Sequence, residues 1–130
     1  MASRERDWLD QAKRDLEHAA LALSGKHYEW ACFAAQQAAE KAVKAVYQRD
    51  GEEAWGHSVG DLLEGLRAKH NVGESLLDAG RELDQHYIPS RYPNAHPQQP
   101  PYRHYTTRNA EQAIENGESI SRFCEDLLAQ

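Results

Sequence analysis

No stretch of this 130-residue chain approaches the roughly 18 consecutive apolar residues that a bilayer-spanning helix requires, so no membrane partner is expected. The opening run Met1-Ala2-Ser3-Arg4-Glu5-Arg6-Asp7 lacks the apolar core of a secretion signal and passes straight into a charged amphipathic pattern. Cysteine is scarce. Cys32 and Cys124 stand in apolar helical patterns, with no Cys or His at zinc-ligand spacing. Two buried free thiols, no metal, no other cofactor and a reducing cytoplasmic location are therefore expected. No Gly-rich phosphate loop, His-Glu-x-x-His pair or nucleophile elbow occurs, which removes the enzyme classes built on those motifs. Aromatic and β-branched residues are few while Ala, Leu, Glu, Gln and Arg abound, a composition that favours helix over strand.

The most informative absence is local. Between Gln85 and Ala110 there is no carboxylate, whereas Arg91, Arg103, Arg108 and three histidines fall inside. With neutral histidines that window carries +3, so the rest of the chain carries −9 of the net −6. All five prolines and four of the six tyrosines lie in it as well. Overall acidity argues against a protein that coats nucleic acid through bulk charge, but leaves room for one local anion site.

What is present reads as a bundle. Trp8, Leu9, Ala12, Leu16, Ala19, Ala20 and Leu23 recur at three- and four-residue steps and draw one apolar stripe, ended by Ser24-Gly25. A second helix is predicted from Tyr28 to Arg49, with Trp30, Phe33, Ala34, Ala38, Ala42, Ala45 and Val46 inward, closed by Asp50-Gly51. Its Gln36, Gln37, Glu40, Lys41 and Lys44 form a polar face, for which solvent is the ordinary neighbour. Ser58 and Asp61 read as a short capping box before a brief helix carrying Leu62, Leu63 and Leu66. Leu76, Leu77, Leu83 and Tyr87 mark a fourth helix, and Thr106 or Thr107 caps a last one from Ala110 to Leu127. The expected architecture is all-α: an up-down helical bundle of about four main helices plus a short one, in a single domain over residues 1–130. One long Pro/Tyr-rich loop interrupts it, of a length that usually signals function.

The loop holds the parts for metal-free RNA chemistry. Arg91 and Arg103 carry planar forks that match a phosphate. His86, His96 and His104 can move a proton near neutral pH, and Tyr87, Tyr92, Tyr102 and Tyr105 can stack on bases. The same residues also suit a loop merely tied down by rings, with arginines satisfying helix carbonyls.

The run Trp30-Ala31-Cys32-Phe33-Ala34-Ala35-Gln36-Gln37-Ala38-Ala39-Glu40-Lys41-Ala42-Val43-Lys44, with Gly56-His57-Ser58 and Arg91-Tyr92-Pro93, resembles the HEPN family over essentially the whole chain. The resemblance implies a helical bundle that commonly forms homodimers and is often paired with a minimal nucleotidyltransferase. It also implies a metal-independent endoribonuclease with an Arg-x4–6-His motif, acting in some members as the toxin of a toxin–antitoxin pair. Arg91 to His96 fits that spacing, and so does Arg81 to His86, but residues five apart on a helix do not share a face. The Arg-Tyr-Pro context selects Arg91 to hold the scissile phosphate and His96 as the acid–base group. Tyr92 stands where catalytic members usually carry a small polar residue. The second reading is a non-catalytic nucleotide- or RNA-binding module that works with a nucleotidyltransferase. There Arg91 and Arg103 bind phosphate, Tyr92 stacks, and Gln37, Glu40 and Lys41 contribute hydrogen bonds.

Overall fold

The computed structural model describes residues 3–130; Met1 and Ala2, the first residues of the expected leaderless start, lie outside them. Five α-helices follow one another: α1 (Glu5–Ser24), α2 (Tyr28–Asp50), α3 (Val59–Leu66), α4 (Glu74–Asp84) and α5 (Thr107–Leu128). Among the described residues there is no strand. The segment between α4 and α5 contains two short 3-10 turns, Pro93–Ala95 and Pro101–His104.

Helix α2 is the axis of the bundle and touches the four others. Its alanines are what allow this. Ala31, Ala34, Ala35, Ala38, Ala39, Ala42 and Ala45 are all buried, on more than one side of the helix. Small side chains let neighbouring backbones come close, and Gly117 of α5 is the clearest case. A Cβ placed there would lie 3.1 Å from the Ala35 carbonyl oxygen. The bulk of the core comes from the other helices: Leu9, Leu63, Leu83 and Ile120 are completely buried. Each such side chain stabilises the fold by about 1.5–3 kcal/mol relative to exposure.

Helix ends follow the expected chemistry in part. Gly51 closes α2 in the left-handed conformation, with φ 73°. Thr106 caps α5, and Asn109 returns a bond to the Thr106 N–H, completing a reciprocal capping box. Gly25 behaves differently: its φ is −83°, and Lys26 takes the left-handed position at φ 64°. The bonds Lys26 N–H to Leu23 and His27 N–H to Ala22 show why, since the turn is wound one residue later than the glycine. The Ser58–Asp61 box is half formed. Ser58 accepts from the Asp61 N–H, but the Asp61 carboxylate pairs with Arg81 at 2.6 Å. The missing half comes from α4: Asp84 accepts from Ser58 Oγ, Val59 N–H and Gly60 N–H at 2.7–2.9 Å, so a distant carboxylate caps α3.

Three expectations are corrected by packing. Ala20 and Trp30 face outward rather than inward, Trp30 with 45% of its surface exposed. Helix α4 stops at Asp84, and Tyr87 belongs to the turns that follow. The polar row of α2 is not a solvated face, because Gln36 and Glu40 are buried under the segment that precedes α3.

Candidate functional site

The turns after α4 bring Arg91 down onto α2. Its guanidinium carbon lies 4.3 Å from the Phe33 ring centroid, 4.8 Å from Tyr87 and 5.1 Å from Tyr92. Nε and one terminal nitrogen both donate to the Tyr87 carbonyl oxygen, at 2.9 and 2.7 Å. That fork fixes the group's plane. Among the described residues no carboxylate pairs with it. A half-buried guanidinium held by rings and one carbonyl, with no counter-anion, keeps its full charge for a ligand.

Beside it lies the buried polar row. The Glu40 carboxylate accepts from Lys44 at 2.9 Å and Gln37 at 3.4 Å, and meets His57 Nδ1 at 3.1 Å. Gln36 donates to the His57 carbonyl, and Gln37 donates to Gln36. The His57 ring stacks on Tyr87 with centroids 5.1 Å apart, so Tyr87 joins the polar row to Arg91. Burial of a carboxylate is tolerable only with such partners. Periodicity marked these α2 residues as polar, while Gly56-His57-Ser58 was visible only as part of a motif.

The other predicted residues have partners of their own. His96 donates from Nε2 to the Pro89 carbonyl at 2.7 Å, and its ring stacks on His104 at 4.1 Å. His104 is anchored in the same way to the Gln98 carbonyl. Tyr92 and Tyr102 are about half exposed, and Arg103 lies over the Tyr102 ring. Lys41 pairs with Asp15 of α1 at 2.6 Å, and together with Gln37, Phe33 and Trp30 they line a groove of about 220 Å³. Gln37, Glu40, Arg91 and Tyr92 are thus linked through shared neighbours, Lys41 joins them through the groove it shares with Gln37 and Phe33, and Arg103 is placed against Tyr102. No group of three His, Cys, Asp or Glu among the described residues is arranged to hold a metal ion.

Burial sets the titration of the groups behind the loop. The Cys32 thiol is pushed up to about 12 by burial and by the nearby Glu29 charge, and burial raises Cys124 as well. Both are free, neutral thiols and poor nucleophiles. Tyr105 is pushed up to about 12, chiefly by burial, and its hydroxyl meets His86 Nδ1 at 3.2 Å. Burial lowers His86 from its ordinary 6.5. The unfolded chain therefore takes up that proton more readily than the folded one. The stability from the neutral ring is complete above 6.5 and is lost as pH falls toward the folded-state value. Thermal melts between about pH 7 and pH 5 are expected to fall less steeply for His86→Gln than for the unsubstituted protein. Parallel curves would remove His86 from the account.

An all-α bundle whose central helix carries a buried polar row, joined through Tyr87 to an arginine-bearing, carboxylate-free loop, defines the class of the protein. The chain belongs to the HEPN domain family, which matches residues 5–127. Solved relatives agree in shape as well as sequence. The TT1696 protein of Thermus thermophilus is 49% identical, with a TM-score of 0.93 and coverage of 96% of this chain and 98% of that one. An archaeal HEPN homologue, ST0689, is 40% identical with a TM-score of 0.82, covering 97% and 98%. A HEPN domain protein of Thermotoga maritima is 46% identical at 0.80, covering 95% and 98%. A protein of Methanocaldococcus jannaschii named "Putative toxin MJ1304" is 26% identical over 132 residues, 95% of this chain and 87% of its own length. No helix among the described residues is long and apolar enough to cross a membrane.

Proposed function

We propose that this HEPN protein is a metal-independent endoribonuclease acting as the toxin of a toxin–antitoxin pair. The observation that carries the reading is the Arg91 guanidinium, half-buried and without a carboxylate partner. Such a group suits a phosphate whose oxygens gain charge as a 2′-hydroxyl attacks. His96 supplies proton transfer: its Nε2–H is taken by the Pro89 carbonyl, so Nδ1 is the nitrogen turned to chemistry. Tyr92 offers a stacking surface, Arg103 a second phosphate contact, and Gln37 and Lys41 polar contacts along the α1–α2 groove. Glu40 acts from beneath, through the groups it holds. The working form in this reading is a single helical domain assembled as a homodimer, with a cytoplasmic nucleotidyltransferase as the neutralising partner. The relative named as a toxin supports the same direction.

One observation favours a binding module instead: the His96 ring is both hydrogen-bonded and stacked on His104, which suits a rigid loop. Incubating the protein with single-stranded RNA in EDTA separates the two. Cleavage leaving a 2′,3′-cyclic phosphate, and lost in His96→Ala, is the expected result. Calorimetric binding of RNA or nucleotide with no cleavage would instead establish the binding module.

A further inference from the structure

Transesterification of RNA moves two protons: one leaves the attacking 2′-oxygen and one joins the departing 5′-oxygen. Within one chain, His96 serves one end of that exchange. The geometry points to His57 as the other group, a general base held in register by the buried Glu40 and sharing one phosphodiester site with Arg91. This inference rests on the ribonuclease reading above.

Three observations carry it. Glu40 is 5% exposed and places Oε2 3.1 Å from His57 Nδ1. An ionised carboxylate only accepts, so Nδ1 carries the hydrogen and Nε2 keeps its lone pair. The His57 side chain is 58% exposed, whereas its orienting carboxylate is 7% exposed, so the ring has an anchored end and an open end. A carboxylate behind the ring also stabilises the imidazolium that forms when Nε2 takes a proton. Finally, His57 and Arg91 lie against the same Tyr87 ring, at 5.1 and 4.8 Å. They are no further apart than the two distances together, which a ribose and its 3′-phosphate can bridge.

The charged groups around His57 are Glu40, Lys44, which donates to the same Glu40 oxygen Oε2, Arg91 against the same Tyr87 ring, and Asp84, which caps α3 and lines a small pocket with His57. Asp84 is taken up by the α3 cap and Lys44 bonds the carboxylate rather than the ring, so Glu40 is the group that sets the ring's orientation. In the step itself the 2′-O–H proton passes to His57 Nε2 as the 2′-oxygen bonds to phosphorus. The P–O5′ bond breaks, and O5′ takes a proton from His96 Nδ1–H. Products are a 2′,3′-cyclic phosphate and a 5′-hydroxyl, and both histidines re-equilibrate with solvent.

The test joins kinetics to a binding measurement on the full chain. Replacement by His57→Ala is expected to lower cleavage by about 100-fold or more and to abolish the ascending limb of the pH–rate profile, with partial rescue by added imidazole. A ring that merely docks its loop would lower the melting temperature without the imidazole rescue. In parallel, 15N-histidine spectra titrated with uridine 3′-monophosphate are expected to show His57 Nε2 moving, and the movement to vanish in Arg91→Ala. An active protein whose His57→Ala variant keeps its pH profile, or whose His57 signals ignore the nucleotide, overturns this inference alone. A protein that cleaves no RNA overturns the ribonuclease reading and the proton-transfer role with it.

Discussion

Arg91→Ala is expected to lower RNA cleavage by about two to three orders of magnitude, the usual effect of removing a donor aimed at developing oxyanion charge. The bundle itself should survive. Arg91 sits on the rings of Phe33, Tyr87 and Tyr92, and such contacts contribute about 0.5–1 kcal/mol each when partly exposed. The Tyr87 carbonyl it leaves behind lies in a half-buried turn that water can reach. Arg91→Lys keeps the charge but loses the fork that grips that carbonyl, so an intermediate loss of about tenfold or more is expected. Initial rates on a single-stranded RNA, paired with circular-dichroism melts, check both variants. Wild-type turnover in a folded Arg91→Ala protein removes the residue from the chemistry, whereas unfolding would recast it as a structural pin.

The second large effect is on stability. Glu40→Ala is expected to cost about 3 kcal/mol, because it strips the partner from a mostly buried Lys44 ammonium and from His57 and Gln37 together. Its diagnostic lies in the double variant. Glu40→Ala with Lys44→Met removes the stranded charge along with its partner, and should recover part of the loss, since Lys44 also packs over Trp8 at 5.9 Å. Urea titrations of the two single variants and the double one give the coupling directly. Additive losses would mean that Lys44 finds water unaided and that the buried pair adds nothing.

Much of this fold can be read from residue spacing, and the exceptions share a cause. Stripes such as Leu9–Ala12–Ala19 and Ala110–Ala113–Ile120–Cys124 are local properties of one helix, and they fell where the three- and four-residue steps placed them. Trp30 did not, because an apolar residue near a helix end is buried only if another element reaches it. Gln36 and Glu40 were misplaced for the converse reason: nothing in α2 itself says that the segment around His57 will cover them. Asp84 as the cap of α3 was invisible too, since it lies 25 residues away from Val59 in sequence. For the candidate site, Arg91 stands out in the sequence by its motif and by its carboxylate-free surroundings. His57 stands in the Gly56-His57-Ser58 motif without a role of its own there, and the role proposed for it depends on a ring stack and a carboxylate bond that only the assembled helices create.

The alanines of α2 carry one more consequence, for how this protein can change over time. A side chain without a rotatable χ angle gives up no rotamer freedom on burial, so the centre of the bundle is held without freezing flexible groups. The same positions are closed in both directions. Larger residues would force neighbouring backbones apart, at about 1–3 kcal/mol each, and glycine would weaken the helix by about 1 kcal/mol. Drift is thereby channelled to the outer surfaces of α1 and α5 and to the exposed tip of the loop. The register of Gln37 and Glu40 under the His57 segment is inherited from a helix that tolerates almost no alternatives.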